Sequence, residues 1–290
     1  MPQIDGNTKV YGLFGYPVSH TFSPAMHNAA FQKLKFNSLY LSFSVRPDQL
    51  RAAVTALRTL GICGVNLTIP HKEMVVPYLD ELSREAKLIG AVNTIVVNED
   101  RLIGHNTDGR GFLLALKRGL HIDAKKKSIF VIGAGGAAKA IAFQLALEGV
   151  REIFITDIAQ DRAHKLVSAL NKHIPACHAK FVMSQPDEVE RTVADADILV
   201  NATPIGMKDT DPLLLSARSM HSKLVVCDVI YNPTATKLLR AAKGRGLKTM
   251  NGLGMLLYQG AMSFYLWTKK EPPVDVMRQA LLRQMRGQNA

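Results

Sequence analysis

Apolar and polar positions along this chain follow two rhythms: short runs with a period near two, and longer stretches with a period near 3.6. Val10–Phe14, Leu39–Val45 and Val65–Ile69 are short, β-rich runs punctuated by Gly or Pro, and they read as strands. Between and after them, Ser23–Lys35, Asp48–Leu60 and Glu73–Glu85 carry helical spacing behind polar starts. Ala91–Val97 and Leu102–Asn106 flank the turn Asn98-Glu99-Asp100 and predict a hairpin, and Gly111–Arg118 predicts a further helix. Beyond Lys125-Lys126-Lys127, Ile129–Ile132 is continuously apolar, as in a strand buried on both faces. Helix Ala137–Leu147 and strand Glu152–Thr156 follow, then strands at Phe181–Met183, Ile198–Asn201 and Leu224–Val229, with Thr249–Met250 shorter. That alternation predicts a parallel, doubly wound sheet. Met255–Trp267 and Val274–Arg286 close the chain as helices.

A length of 290 residues, 47% of them apolar, suggests two α/β domains with ordinary cores. The most apolar stretch, Gly252 to Trp267, is interrupted by Gln259 and Ser263, so it reads as a packed helix rather than a membrane span. Met-Pro-Gln-Ile-Asp at the start lacks the pattern of a signal peptide. Cys63, Cys177 and Cys227 are scattered in apolar surroundings and read as reduced core thiols, which points to the cytoplasm. No spacing suggests metal ligands. The net charge is +12, from 36 basic and 24 acidic residues. The basic residues are dispersed, so steering of small anions explains the excess at least as well as nucleic-acid binding.

Gly133-Ala134-Gly135-Gly136-Ala137-Ala138 lies where the apolar strand meets the next helix. In a G-x-G-x-x-G/A turn the first Gly allows the bend, the second admits a pyrophosphate, and the small last residue lets helix and strand pack. The helix N-terminus there attracts phosphates. Asp157 ends the following strand, 24 residues after Gly133 (157 minus 133), where a carboxylate takes up both ribose hydroxyls and repels a 2′-phosphate. Ile158 and Ala159 next to it offer no positive charge, while Arg162 and Lys165 lie further on. The expected cofactor is NAD, with NADP as the alternative. As a bland reading, Asp157 is a cap at the junction of strand and helix.

More specific strings occur in order along the whole chain. Gly15-Tyr-Pro-Val-Ser-His-Thr-Phe-Ser-Pro-Ala-Met-His-Asn28, Val65-Asn-Leu-Thr-Ile-Pro-His-Lys72, Gly90-Ala-Val-Asn-Thr-Ile-Val96 and Gly104-His-Asn-Thr-Asp-Gly109 come first. Asn201-Ala-Thr-Pro-Ile-Gly-Met207 and Asn251-Gly-Leu-Gly-Met-Leu-Leu-Tyr-Gln-Gly260 follow. Together they resemble the signatures of the shikimate/quinate dehydrogenase family.

The resemblance implies an N-terminal substrate-binding domain over residues 1–108, with the C-terminal helices 253–290 folded back onto it. It implies a Rossmann-type dinucleotide domain over 109–252. It makes Lys72 and Asp108 the catalytic pair, which the residues alone would leave as an exposed helix-start lysine and an N-cap. It assigns Thr21 and Ser23 to a substrate carboxylate, and Thr68, Asn93 and Gln259 to ring hydroxyls, with Tyr231 near both ligands. Thr203, Val229 and Gly252 would line the nicotinamide side. The implied reaction interconverts shikimate and 3-dehydroshikimate, with quinate or aminoshikimate oxidation as the close alternatives. A non-catalytic dinucleotide sensor is a further one, and a monomer or homodimer fits equally. Two departures stand out. Thr21 replaces the usual serine, and Asp157-Ile158-Ala159 replaces an Asn-Arg-Thr-like segment of NADP-specific members.

Overall fold

Two six-stranded sheets organise the computed structural model, which describes residues 4–288. One unit comprises the chain up to Thr107 and again from Leu257, and the other comprises Asp108–Leu256. The first sheet contains β1 (Lys9–Gly15), β2 (Ser38–Ser44), β3 (Ile62–Leu67), β4 (Glu81–Leu82), β5 (Thr94–Asn98) and β6 (Arg101–His105). The second contains β7 (Ser128–Ile132), β8 (Glu152–Thr156), β9 (His178–Phe181), β10 (Ile198–Asn201), β11 (Val225–Asp228) and β12 (Thr249–Met250). The first six helices are α1 (Ser23–Lys33), α2 (Leu50–Thr59), α3 (His71–Met74), α4 (Arg84–Ile89), α5 (Asp108–Gly119) and α6 (Gly136–Leu147). They are followed by α7 (Gln160–His173), α8 (Pro186–Val193), α9 (Lys237–Gly244), α10 (Leu253–Thr268) and α11 (Val274–Gln288).

The first sheet has the order β2-β1-β3-β5-β6-β4. β1 is parallel to β2 and β3, whereas β5 runs antiparallel to both β3 and β6. One face is closed by the apolar stripe of α2, where Leu50, Val54 and Leu57 bury against Phe14, Val65, Leu67 and Ile95. Each such side chain contributes roughly 1.5–3 kcal/mol on burial. An aromatic group that includes Tyr11, Phe31, Phe36, Phe264 and Trp267 packs between this sheet and helices α1 and α10. The Trp267 indole N–H donates to the Ile95 carbonyl at 2.9 Å, which ties α10 to β5.

The second sheet is parallel throughout, in the order β12-β11-β10-β7-β8-β9. This is the doubly wound order in which the sequence reverses direction between β7 and β10. β7 is buried at every position, as its unbroken apolar run requires.

Two local readings need correction. Glu73–Glu85 is not one helix: α3 ends at Met74, a 3-10 turn covers Val76–Tyr78, and β4 precedes α4. Pro77 is the physical reason, since it has no N–H to give and its ring crowds the preceding turn. The Ser83 hydroxyl then accepts from the Ala86 N–H at 3.2 Å to start α4, and Gly90 ends it in the left-handed conformation. The strand expected at Phe181–Met183 lies instead at His178–Phe181. Among the described residues, no helix is long and apolar enough to cross a membrane.

Candidate active site

In the first unit, strand direction collects the expected residues at one edge. β1 and β3 are parallel, so the segments after Gly15 and after Leu67 leave the sheet at the same end. β5 starts at that end, because Asn66 in β3 pairs with Thr94, and β6 finishes there, because Thr94 also pairs with His105. The edge therefore carries Thr21 and Ser23, Thr68 and Lys72, Asn93, and the segment Asn106-Thr107 that leads into Asp108.

Backbone bonds draw these segments together. Thr68 N–H donates to the Phe14 carbonyl at 3.0 Å, and Tyr16 N–H to the Ile69 carbonyl at 3.0 Å. Gly15 permits this closeness: a Cβ on it would lie 2.3 Å from the Thr68 methyl carbon. Thr21 Oγ1 accepts from the Ser23 N–H at 3.3 Å, so the hydroxyl of the first marks the start of α1. Ser23 is buried and Thr21 half-buried.

Lys72 is half-buried in the one-turn helix α3. That helix is pinned on both sides of the lysine. His71 is buried and its Nε2 donates to the Val45 carbonyl at 2.7 Å, while the Lys72 carbonyl accepts from the Val92 N–H at 2.8 Å. Burial holds the His71 imidazole below the usual histidine range, so the ring is a neutral strut. Asp108 is the first residue of α5 and is 3% exposed.

Asn93 and Gln259 belong to a buried polar network whose other members the sequence reading missed. Asn93 Oδ1 accepts from the Thr107 N–H at 2.8 Å, and its Nδ2 donates to Thr107 Oγ1 at 2.8 Å and to Gln259 Oε1 at 3.1 Å. Asn66 Nδ2 reaches the Asn93 carbonyl, Thr94 Oγ1 and Ser263 Oγ at 2.9–3.1 Å, and the Tyr40 hydroxyl donates to Asn66 Oδ1 at 2.8 Å. The local signals were Asn66, polar inside an otherwise apolar strand, and Ser263, polar inside the apolar stretch of α10.

In the second unit the glycine turn closes β7. Gly133 adopts a φ of 111°, and its N–H donates to the Thr156 carbonyl at 2.7 Å. Gly135 stands as N-cap of α6 without a side-chain cap, which leaves the first-turn amides of Gly136, Ala137 and Ala138 without helical acceptors. Those amides and the local positive potential fit a dinucleotide's phosphates. Ala134, Ala137 and Ala138 are small enough to keep the approach open, and Ala138 is fully buried against the strand.

Asp157 follows β8 and its carboxylate links two segments. It accepts from the Ala134 N–H at 2.7 Å and from the Ala159 N–H at 2.8 Å. It is not the N-cap of α7; that position is Ala159. Ile158 is 87% exposed, and Arg162 is exposed on the first turn of α7 with its guanidinium directed to Gly135.

Thr203 donates from both N–H and Oγ1 to Asn201 Oδ1, at 3.0 and 2.7 Å. Asn201 and Asp228 end adjacent parallel strands in register, and Asn201 Nδ2 donates to Asp228 Oδ1 at 3.1 Å and to the Ile205 carbonyl at 3.0 Å. Asp228 also accepts from the Ile230 N–H at 3.0 Å and the Thr236 hydroxyl at 2.8 Å. Burial pushes the Asp228 carboxyl up from the usual range, against the three hydrogen bonds that favour its charge. Asn201, Asp228 and Thr236 were absent from the expected set, yet they hold the two loops that carry Thr203 and Val229-Ile230-Tyr231. Tyr231 is half-buried in the second of these. Gly252 sits directly against Val229, since a Cβ there would come within 1.9 Å of the Val229 carbonyl oxygen.

Three family profiles match the chain. They describe the shikimate dehydrogenase substrate binding domain over residues 13–95, a shikimate / quinate 5-dehydrogenase domain over 114–239, and the shikimate 5′-dehydrogenase C-terminal domain over 252–282. The shikimate dehydrogenase (NADP(+)) of Methanopyrus kandleri is 47% identical over 285 residues, covering 98% of either chain. The enzyme of the same name from Desulforamulus reducens is 48% identical over 285 residues, with the same coverage. The crystal structure of shikimate 5-dehydrogenase from Listeria monocytogenes, in complex with shikimate and NAD, superposes with a TM-score of 0.88. It is 41% identical and covers 97% of this chain and 99% of its own.

Proposed function

The chain belongs to the shikimate/quinate dehydrogenase family and is an oxidoreductase acting on a CH–OH group, and from that premise we propose the following assignment. The enzyme interconverts shikimate and 3-dehydroshikimate. The observation that carries this reading is the gathering of Thr21, Ser23, Thr68, Lys72 and Asn93 at one edge of the first sheet.

Lys72 donates a proton from Nζ to the ketone oxygen as the ring carbon is reduced, and takes that proton back from the hydroxyl in the reverse direction. Asp108 is the carboxylate that works with it, orienting the lysine for the proton transfer. Thr21 and Ser23 hold the substrate carboxylate with hydroxyl donors. Thr68, Asn93 and Gln259 read the ring hydroxyls, because a triol presents little apolar surface and must be recognised through hydrogen bonds. The nicotinamide dinucleotide supplies or removes the hydride when bound. Gly133 to Ala137 receive its phosphates, and Thr203, Val229, Tyr231 and Gly252 line its reactive end.

NAD is the preferred dinucleotide. Asp157 places a carboxylate where a 2′-phosphate would have to come, and Ile158 and Ala159 provide no compensating charge. The relatives from Methanopyrus and Desulforamulus are named for NADP(+), so the preference rests on Asp157 and not on kinship. Arg162 is the residue that would soften it. The three cysteines are free thiols, two of them buried, which supports a reducing cytoplasmic setting.

The test is kcat/KM for shikimate and for quinate, each with NAD and with NADP. Highest efficiency with shikimate and NAD supports the whole assignment. If quinate wins, the extra methyl of Thr21 has retuned the carboxylate pocket. If NADP wins, Asp157 acts only as the clamp between Ala134 and Ala159. No turnover with any pair overturns the enzymatic reading in favour of a dinucleotide sensor.

A further inference from the structure

Asn93 and Gln259 lie side by side with 2% and 8% of their surface exposed. A carboxamide has one pole that accepts hydrogen bonds and one that donates them. Which pole faces which neighbour is settled only by a neighbour with a single role. The Thr107 N–H is such a neighbour, because a backbone amide only donates, and it lies 2.8 Å from Asn93. The Asn93 atom it meets is therefore Oδ1, and the opposite pole is the –NH2. That Nδ2 lies 3.1 Å from the Gln259 side chain, so the Gln259 atom facing it must accept and is Oε1. The other pole of Gln259 is then Nε2, and whatever it meets must be an acceptor.

The surrounding bonds lock this arrangement. The Thr94 hydroxyl donates to the same Asn93 Oδ1 at 3.0 Å. The hydroxyls of Thr107 and Ser263 donate to the Gln259 carbonyl at 3.1 and 3.0 Å. Asn66 is oriented by the same logic, since its Nδ2 faces the Asn93 carbonyl, which can only accept.

We infer that Asn93, besides the ring contact proposed for it, sets Gln259 to read a substrate oxygen as a hydrogen-bond donor, so that a ring amine at that position is rejected. The inference rests on the proposed contact between Gln259 and the substrate ring. A hydroxyl offers lone pairs to Gln259 Nε2. An ammonium has only donors, so the two groups would face each other unpaired and desolvated.

Calorimetric dissociation constants of the full chain decide the matter, measured with shikimate and with three analogues in which one ring hydroxyl is replaced by an amine. The wild-type chain is expected to bind one of the analogues more weakly than shikimate by roughly tenfold or more. Asn93→Asp should shrink that gap for the same analogue. The aspartate has no hydrogen to offer Gln259 Oε1, so the carboxamide turns over and presents an acceptor. Gln259→Glu presents an acceptor whatever stands at 93. It should shrink the same gap, and it covers the case in which Asn93→Asp does not fold. No gap in the wild type, or an unchanged gap in every folded variant, overturns the relay while shikimate binding and turnover stand. Failure of shikimate to bind at all overturns the substrate assignment, and the relay with it.

Discussion

His27 is fully buried in α1, stacked on Tyr40 at 4.3 Å between ring centroids and tilted against Trp267 at 5.4 Å. Neither ring nitrogen has a hydrogen-bond partner among the described residues. Burial alone lowers its pKa from 6.5 to about 3, because the charged ring would be desolvated with nothing to compensate it. Folding must therefore exclude a proton that the unfolded chain binds readily. The stabilisation is complete above the unfolded value and is lost as pH falls from 6.5 towards 3. Linkage arithmetic gives a loss of about 2 kcal/mol between about pH 7 and about pH 5 from this one residue. His27→Phe keeps an aromatic ring between Tyr40 and Trp267 and removes the titration. Urea unfolding of the wild-type chain and the variant at those two pH values isolates the effect. His71 and His105, whose pKa values burial also lowers, are common to both proteins and cancel in the difference. The variant should lose about 2 kcal/mol less than the wild type over this interval. Parallel losses would mean that the ring is solvated or paired, and would refute the burial argument.

Lys72→Ala should reduce turnover by roughly 10²–10⁴-fold. Calorimetry should find shikimate affinity changed far less than turnover, and near wild-type turnover in a folded variant would remove Lys72 from the chemistry. Asp157→Asn keeps one acceptor for the Ala134 or Ala159 amide but removes the charge. It should raise the ratio of NADP to NAD efficiency by roughly ten- to a hundredfold, the equivalent of about 1–3 kcal/mol of repulsion between anions. An unchanged ratio would leave Asp157 as a loop clamp only. Gly252→Ala places a methyl group against the Val229 carbonyl, a backbone atom with no rotamer to yield. Overpacking of this kind destabilises by about 1–3 kcal/mol, and thermal unfolding together with a weaker NADH affinity would register it. Retention of both would show that the loop moves aside freely.

Features dictated by neighbouring residues were readable in advance. The Gly133–Ala138 turn, the fully apolar β7 and the alternation of strands and helices are local consequences of backbone freedom and burial. Reading failed where one residue overrides a pattern or where partners are far apart in the chain. Pro77 breaks a helix that the spacing of Glu73–Glu85 otherwise supports. The bond from Asn66 to Ser263 joins residues 197 positions apart, and no period or spacing reports it. The position of Lys72 was visible only through a whole-chain resemblance, since by itself it reads as an exposed helix-start lysine.

The polar residues near the ends of apolar strands explain why the missed positions matter. Asn66 stands one residue before the end of β3, and Asn201 and Asp228 are the last residues of β10 and β11. All three are buried, and all three are satisfied by groups within their own unit. A polar group buried at a strand end would destabilise the fold by about 1–3 kcal/mol if left unpaired, so its partners must be held in place whenever the strand is. That requirement ties the loops after parallel strands to the sheet, at the edge where such sheets bind ligands. In the first unit it passes the rigidity of β3 and β5 to Asn93 and Gln259. In the second it passes that of β10 and β11 to Thr203 and Tyr231. The residues proposed to meet ligands, Asn93, Thr203 and Tyr231 in loops and Gln259 in α10, are then held by the buried amides and the one carboxylate behind them.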